Sequence, residues 1–441
     1  MIKYIMSSKN YVLAQAKKNV LAGHTYDGKE VLKVRPNLFE NYSTVFFNPQ
    51  TIYTGGSARC DVNMRTEDYN LNELLLEFDQ VNASATITQT VFNPFMLFSE
   101  IKLLFNDQVC VHLDNQEKIF CTVAEALRGL SKEETKSLLQ TLMPSFGGVA
   151  GETTAVSSTT KWSLPLSTFL FPFIRDISPS QGLQKLSVEV RMQPNVATTD
   201  GNGRFIASGT TSNCYSDATI SFSNMQCRLV YTKHSDPFLR AVPSPLIPVQ
   251  KYADRMYNLS FNAAGVQKRV QLGTEFSSYR NINGLYVYIY DKAKVSAYND
   301  ADCCKVDSDL TLLGYELKFK TRTVLKMDAT TDKGRKAKYY YDNHFKRFGR
   351  AINSDLIDNS TNLTKFFVPL TYIDLQSVAN GSNDNDRLVY SGISNKDAEL
   401  ELIITNTSGA YSTDCYLYVV LSYLEFHTLN PQTGVVSELQ I

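Results

Sequence analysis

The segment KLSVEVRM, residues 185–192, alternates apolar and polar side chains at every position. Along an extended chain one side carries Leu186, Val188, Val190 and Met192, and the other carries Lys185, Ser187, Glu189 and Arg191. A period of two is what an antiparallel sheet needs when one of its faces packs on a core. The segment therefore predicts a strand of a β-sandwich.

The same alternation recurs in both halves of the chain. Leu74, Leu76 and Phe78 alternate with Leu75, Glu77 and Asp79, and Tyr315, Leu317 and Phe319 alternate with Glu316, Lys318 and Lys320. The composition is 43% hydrophobic and 11% aromatic, with 25 Tyr and 24 Phe, which suits pleated, half-buried surfaces. At 441 residues the chain is long enough for two domains. We predict an all-β protein.

Helical signals are few and local. Residues 116–143 are the best case, with Ser131 and Glu134 forming a capping box for a second helical segment after Gly129. Residues 335–350 are a second candidate. We expect long polar loops at 145–160, 195–217, 328–335 and 376–398.

The order of these elements repeats. In the first half a strand (99–111) precedes the 116–143 helices, an LPL segment (162–173), the alternating strand 185–192 and a closing strand (227–234). In the second half 313–327 precedes the 335–350 helix, a VPL segment (365–375), an alternating strand (399–406) and an apolar closing strand (415–427). This order predicts a duplicated sandwich; two sandwiches with chance similarity are the alternative.

Four prolines mark a stiff connector between the halves, in DPFLRAVPSPLIPV (236–249). We predict an N-terminal arm and extended segment at 1–70, a first jelly roll at 71–235, a proline-rich connector at 236–250, and a second jelly roll with a C-terminal tail at 251–441.

The predicted arm is basic. Residues 1–35 hold seven Lys and Arg side chains against Asp27 and Glu30. A neighbouring subunit, an underlying membrane surface and a packaged genome are candidate partners for such an arm. The equally weighted alternative is an arm that packs on its own domain.

Two sandwiches, each interrupted by a helix at a similar place, resemble the double jelly-roll major capsid proteins of the tectivirus–adenovirus lineage. The resemblance covers about residues 70–430 and rests on the element order, the closing strands, and the strand openings Leu164-Pro165-Leu166 and Val368-Pro369-Leu370. It implies a homotrimer of pseudo-sixfold outline, upright jelly rolls, an N-terminal arm near the inner surface, and outer towers formed by 195–217 and 376–398.

The sequence contains no recognisable motif for catalysis or for the binding of a cofactor or metal. Its five histidines are dispersed, none of its eight cysteines forms a CxxC pair, and it has no P-loop, GxGxxG, GxSxG or HExxH motif. We predict no catalytic, cofactor-binding or metal-binding residues, no cofactor, no small-molecule substrate and no enzymatic activity. The first 18 residues lack the apolar run of a signal peptide, so we expect reduced thiols and intracellular synthesis.

One segment stands out, KGRKAKYYYDNHFKRFGR (333–350). Seven basic residues lie among three tyrosines and two phenylalanines there. Such a mixture can bind single-stranded nucleic acid through phosphate contacts and stacking. We favour the alternative, an amphipathic helix that covers one end of the second sandwich.

The leading hypothesis is a structural subunit of a virion, made in the host cell cytoplasm, that self-assembles as pseudo-hexagonal trimers into an icosahedral capsid. Its expected partners are copies of itself, minor capsid or penton proteins, and an internal membrane or the genome for the basic arm. A formal net charge of zero argues against a dedicated nucleic-acid binder. The alternatives are a viral spike or carbohydrate-binding double sandwich, and a β-sandwich glycosidase.

Overall fold

The structure of the chain is a computed structural model. The structure describes residues 25–26, 29–30, 38–65, 68–83, 85, 89–91, 94–128, 152–176, 182–193, 207–208, 220–234, 247–260, 265–279, 282–291, 313–319, 321–327, 371–374, 400–406, 414–429 and 436–439.

The described part of the first half consists mainly of strands. Their bounds are β1 (Thr25–Tyr26), β2 (Lys29–Glu30), β3 (Leu38–Phe46), β4 (Ile52–Tyr53), β5 (Ser57–Asn63), β6 (Asp68–Asn82), β7 (Gln89–Val91), β8 (Phe98–Phe105), β9 (Gln108–Leu113), β10 (Glu152–Thr154), β11 (Ser158–Pro165), β12 (Lys185–Met192), β13 (Ala207–Ser208) and β14 (Ile220–His234). The helices are α1 (Gln116–Arg128), α2 (Leu166–Phe169) and two 3-10 turns (Pro94–Leu97 and Pro172–Asp176).

The described part of the second half also consists mainly of strands. Its strands are β15 (Ile247–Ser260), β16 (Val266–Gln271), β17 (Ile282–Asp291), β18 (Leu313–Phe319), β19 (Arg322–Met327), β20 (Thr371–Asp374), β21 (Leu400–Asn406), β22 (Asp414–Leu429) and β23 (Val436–Leu439). One short helix, α3 (Leu272–Glu275), follows β16.

Two four-stranded sheets form the first sandwich. Sheet I has the order β3-β14-β6-β11, and sheet II has the order β5-β12-β8-β9, with every pairing antiparallel. The short strand β4 adds to β14, and β7, β10 and β13 form a separate small sheet. Strands that are distant in the chain lie side by side, so the connections cross between the sheets as they do in a jelly roll.

The second sandwich repeats this arrangement strand for strand. Sheet III has the order β15-β22-β17-β20, and sheet IV has the order β16-β21-β18-β19. Each sandwich is built from eight equivalent strands, counted here along the chain. In both sandwiches the first, eighth, third and sixth of these strands form one sheet, and the second, seventh, fourth and fifth form the other. The predicted fold class, two tandem jelly rolls, is confirmed, and so is the predicted duplication.

Aromatic rings fill the core of the first jelly roll. Phe78 of sheet I lies 4.6 Å from Phe222 and 5.5 Å from Phe98 of sheet II, measured between ring centroids. The single tryptophan, Trp162, is buried in β11, and its indole nitrogen donates to Oε1 of Gln80 at 2.9 Å. That bond satisfies two buried polar groups that would each be costly if left unpaired.

Among the described residues, the core of the second jelly roll is smaller and mostly aliphatic. Leu285 and Leu421 of sheet III meet Leu317 and Leu402 of sheet IV within one buried cluster. The alternating strand predicted at 399–406 forms as β21, Leu400–Asn406, with Leu402 and Ile404 in this cluster. The strand predicted at 185–192 forms with the same bounds.

Strand pairing bears on the proposed division of the chain. Residues 38–46 hydrogen-bond to β14, and residues 57–63 hydrogen-bond to β12. Both segments belong to the sheets of the first jelly roll, although the sequence pattern predicted an arm at 1–70. We therefore propose that the first jelly roll begins at Leu38 and that the arm is correspondingly shorter.

We also propose a proline-rich connector shorter than the predicted 236–250, because β15 begins at Ile247. Pro248 lies within this strand, opposite Phe426. A proline without an amide hydrogen is tolerated there because β15 is the edge strand of sheet III. We propose that the second jelly roll begins at Ile247.

Helix and loop predictions have mixed outcomes. The helix predicted at 116–143 is confirmed over Gln116–Arg128, and its continuation lies outside the described residues. The loop predicted at 145–160 is wrong where β10 and the start of β11 form, since these segments pair with β7 and β6. Loop 195–217 holds the short strand β13, and segments 328–350 and 376–398 lie outside the described residues.

Candidate assembly surfaces

Helix α1 lies at the junction of the two jelly rolls. It begins after Asn115, whose side-chain Oδ1 accepts the backbone amide of Lys118 at 2.9 Å and so caps the first turn. Ile119, Phe120 and Val123 are buried in the core of the first jelly roll. The helix also contacts β15 and β22 of the second jelly roll.

The outer face of sheet III closes the junction; we call it the junction face, and it carries Tyr252, Asp254, Tyr286, Tyr418 and Val420. Tyr252, Tyr286 and Val420 are buried and belong to the same cluster as the core of the first jelly roll. Their chain neighbours Ala253, Leu285 and Leu421 belong to the second core. Around these residues, sheet III is thus buried on both of its faces.

An ionic contact crosses this apolar junction. Nζ of Lys118 lies 2.7 Å from Oδ1 of Asp254 and 2.6 Å from Oδ1 of Asp114, and Asn115 donates to Oδ2 of Asp254 at 2.7 Å. The Lys118 side chain is only 9% exposed. Burial disfavours its charge, but the hydrogen bonds to Asp114 and Asp254 outweigh burial and raise the Lys118 pKa.

Charged side chains cover the outer face of sheet II in a ladder that crosses all four strands. Arg59 of β5 binds Glu189 of β12 at 2.9 Å, and Lys102 of β8 lies 3.9 Å from the same carboxylate. Lys102 also binds Glu100 at 2.5 Å, and Nε2 of His112 in β9 lies 2.6 Å from Oε1 of Glu100. Each exposed pair stabilises little by itself, but the pairs form one network.

The Arg59 end of the ladder continues into the turn between β8 and β9. Asp107 in that turn binds Arg59 and, at 2.8 Å, Lys185. Asp61 accepts hydrogen bonds from Arg59 at 2.7 Å and Ser187 at 2.6 Å. Burial by itself would raise the Asp61 pKa, but these hydrogen bonds outweigh it, so the Asp61 pKa is lowered. Hydrogen bonds from Lys185 and Arg59 lower the Asp107 pKa.

Sheet IV carries a weaker copy of this ladder at equivalent positions. Glu401 of β21 pairs across to Gln271 of β16 and Lys318 of β18, as Glu189 pairs across to Arg59 and Lys102. Glu316 precedes Lys318 by two residues, as Glu100 precedes Lys102, and the two ion pairs measure 3.7 Å and 2.5 Å. The repeat therefore extends from strand order to surface chemistry.

The outer face of sheet I differs from the junction face because described residues do not cover it. We call it the exposed face, and it carries Tyr42, Phe46, Leu75, Glu77 and Arg228. Tyr42 is 60% and Phe46 52% exposed, among the most exposed large hydrophobic residues that the structure describes. The Arg228 guanidinium lies 5.5 Å from the centre of the Tyr42 ring, and Glu77 accepts from Gln226 at 2.7 Å.

The sequence predicted no catalytic, cofactor-binding or metal-binding residue, and these remain expectations. Within the described ranges, no three His, Cys, Asp or Glu side chains are grouped so that they could hold a metal ion. Cys60, Cys110, Cys121 and Cys227 are buried cysteines that form no disulfide, and burial raises the Cys227 pKa. Segment 333–350 lies outside the described residues. Among the described helices, none is long and apolar enough to cross a membrane.

Sequence reasoning did not identify the junction or the exposed face. A signal for the junction was present in CYLYVVLSYLEFH, whose consecutive apolar residues break the alternation. A strand buried on both faces has such a run. The ladder had a signal too, since Glu-x-Lys occurs at 100–102 and again at 316–318.

No protein-family model and no curated protein sequence matches the chain. Solved structures do match its fold over nearly the whole length. The PBCV-1 virus capsid has a TM-score of 0.60 at 9% identity, covering 94% of this chain and 99% of that one. PBCV-1 VP54, fitted into a reconstruction of the virophage Sputnik, has a TM-score of 0.59 at 10% identity, with the same coverage. The Faustovirus major capsid protein has a TM-score of 0.52 at 9% identity, covering 95% and 96%.

The chain has the fold of the double jelly-roll major capsid proteins. The resemblance drawn from the element order is thereby confirmed. With identities of 10% or less, what this double jelly roll shares with those proteins is the fold, carried by a different sequence.

Proposed function

We propose that this double jelly roll is the major capsid subunit of a virus, and that it self-assembles as pseudo-hexagonal trimers into an icosahedral shell. The observation that carries the proposal is the strand-for-strand repeat of sheets I and II in sheets III and IV. Three chains with two similar sandwiches each supply six similar wedges, and six wedges can close a ring that tiles a hexagonal lattice. Closed symmetry of this kind is usual for homo-oligomers.

The junction supports a subunit of fixed shape. It combines buried aromatic residues with the Lys118–Asp254 contact, so the two jelly rolls are held together by both apolar and ionic interactions. A rigid pair suits a shell because lattice geometry requires each subunit to present its surfaces at constant angles. The structural likeness to capsid proteins over nearly the whole chain supports the same role.

The partners follow from this role. Copies of the chain come first, then minor capsid or penton proteins at positions the hexagonal units cannot fill. The basic N-terminal arm is proposed to meet an internal membrane or the genome. The site of action is the virion, after synthesis in the host cell cytoplasm, and the role is structural, without enzymatic activity.

Electron microscopy and light scattering of the purified chain test the proposal. We expect particles of pseudo-hexagonal outline with the mass of three chains, and larger sheets or shells at high concentration. A chain that stays monomeric at high concentration and shows no such particles contradicts it. Glycan-array binding by such a monomer would instead support a carbohydrate-binding double sandwich.

A further inference from the structure

Two buried cysteines from opposite sheets meet inside the first jelly roll. Cys60 belongs to β5 of sheet II and Cys227 to β14 of sheet I, and each is 0% exposed. The Cys60 thiol donates to the backbone oxygen of Val45 at 3.4 Å, and Val45 is the register partner of Cys227 where β3 pairs with β14. A side-chain hydrogen bond also joins the two thiols to each other. The two sulfur atoms are therefore direct neighbours.

Backbone hydrogen bonds hold this contact at an edge that the two sheets share. Asn48 and Arg59 exchange backbone hydrogen bonds of 2.8 and 3.1 Å, which fixes the chain next to Cys60. The residue before Asn48 donates its amide to the backbone oxygen of Met225 at 3.0 Å, two positions before Cys227. Facing sheets are usually about 10 Å apart, which is too far for a disulfide. Here the chain between β3 and β5 hydrogen-bonds beside both cysteines, so their sulfur atoms can meet.

A buried cysteine commonly serves as a small apolar side chain. Two cysteines in contact have a further property, because their sulfur atoms can be oxidised to one covalent bond of about 2.05 Å. Cys60 and Cys227 are distant in the sequence, so a bond between them would close a long loop of chain. In the chain-entropy account, a disulfide that closes a long loop restricts the unfolded chain most strongly.

We propose that Cys60 and Cys227 form a disulfide under oxidising conditions, and that this bond covalently links sheets I and II at their shared edge. The oxidant is a low-molecular-weight disulfide such as oxidised glutathione. One cysteine attacks a sulfur atom of the oxidant and releases one small thiol, and the other cysteine then attacks the mixed disulfide and releases the second. The two cysteines lose two electrons to the oxidant, and their two protons end on the two released thiols.

The inference goes beyond the proposed function, because it concerns the stability of one jelly roll whether or not the chain forms a shell. Burial determines when the bond forms. Solvent does not reach either thiol in the folded chain, and burial raises the Cys227 pKa, so exchange with a dissolved disulfide is slow there. We expect the bond to form during folding, before the edge between the sheets closes, and to be shielded from reductants afterwards.

Refolding in a glutathione redox buffer tests the pairing. The reduced chain is unfolded in urea, refolded with reduced and oxidised glutathione, quenched with iodoacetamide and digested without reductant. We expect mass spectrometry to find the peptides of Cys60 and Cys227 joined, with two hydrogen atoms lost. The melting temperature, followed by Trp162 fluorescence, should rise by about 5 °C or more over the reduced chain. Dithiothreitol in urea should abolish both the link and the rise.

The variants Cys60→Ala and Cys227→Ala should lose the rise in melting temperature, because each removes one sulfur atom of the bond. The matched control is Cys110→Ala, which removes a 1% exposed cysteine of β9 and should keep both the link and the rise. The inference is overturned if the two peptides are not joined, if Cys60 and Cys227 pair with other cysteines instead, or if the joined chain melts no higher than the reduced one. Mapping of the unaltered chain decides the pairing even where a variant does not fold. Trimer formation tests the proposed function separately.

Discussion

Nζ of Lys118 lies 2.7 Å from Oδ1 of Asp254, so a lysine of the first jelly roll neutralises an aspartate of the second inside their junction. Asp114 holds the same ammonium at 2.6 Å from within the first jelly roll. The lysine is nearly buried, whereas Asp254 is 23% exposed. Removal of the Lys118 ammonium would leave the carboxylates of Asp114 and Asp254 without their cation, and Asp254 lies at an apolar boundary.

Replacing Lys118 with methionine should weaken the junction. We expect a loss of about 3 kcal/mol in the free energy of unfolding, since breaking a buried ion pair on one side leaves an uncompensated charge. The control is Lys102→Met in the ladder, where the lysine side chain is 25% exposed and the loss should be below about 1 kcal/mol. Equal losses in the two variants would contradict a special role for the junction contact.

The single tryptophan makes the coupling between the jelly rolls measurable. Trp162 lies in the first jelly roll, so its fluorescence reports the unfolding of that domain, whereas far-UV circular dichroism reports both. We expect coincident urea transitions by the two probes in the unaltered chain, and separate transitions in Lys118→Met. Transitions that already differ in the unaltered chain would show that the junction does not couple the domains.

The charge ladder should respond to acid in a defined direction. Burial favours protonation of Glu100, but hydrogen bonds from Lys102 and His112 outweigh it and lower the Glu100 pKa below 4.5. The stability that this carboxylate contributes is therefore present above pH 4.5 and is lost as pH falls through the lower, folded-state pKa. Glu100→Gln should lower the melting temperature near pH 7 but have little effect near pH 3.

A melting series from pH 3 to pH 7 measures this difference. Lys161→Gln serves as the control, because it removes an exposed charge from sheet I, outside the ladder. If Glu100→Gln lowered the melting temperature equally at both ends of the series, its effect would come from packing and the electrostatic account would fail.

The sequence predicted strands best where one face is apolar and the other polar. Segment 185–192 formed with its predicted bounds because its four apolar side chains all enter one core. Strand β3 escaped prediction because its pattern is inverted: Asn41 and Ser43 lie on the side of Val45, which packs against the core, and the more exposed side carries Tyr42 and Phe46. Alternation alone then gives no sign of which face is inside.

The junction could not be predicted from spacing. Asn115 and Asp254 are 139 residues apart and meet only because the two jelly rolls pack side by side. Periodicity describes the surroundings of one strand, whereas a contact between domains depends on how two complete sheets are oriented. The continuous apolar run in β22 indicated that a second surface covers sheet III, without identifying that surface.

The aromatic core of the first jelly roll should be sensitive to truncation. Phe222 is fully buried, and its ring lies 4.6 Å from Phe78 and 5.4 Å from Phe98. Phe222→Ala removes both contacts and leaves a cavity, which should cost about 3–5 kcal/mol of unfolding free energy by Trp162 fluorescence. Phe46→Ala, at a 52% exposed position, should cost less than about 0.5 kcal/mol in the monomer. Similar losses in both variants would mean that Phe222 does not lie in a packed core.

The buried thiols should be chemically silent in the folded chain. Cys60 and Cys227 are fully buried, Cys60 donates to the backbone oxygen of Val45 at 3.4 Å, and burial raises the Cys227 pKa. The thiolate is the form that reacts with alkylating agents, so both exclusion of reagent and a raised pKa slow the reaction. We expect iodoacetamide at pH 8 to leave Cys60, Cys110, Cys121 and Cys227 unmodified in the native chain and to modify all four in urea, as measured by peptide mass spectrometry. Rapid native labelling of Cys227 would show that the two sheets separate readily at β14, a motion that a rigid shell subunit should not permit.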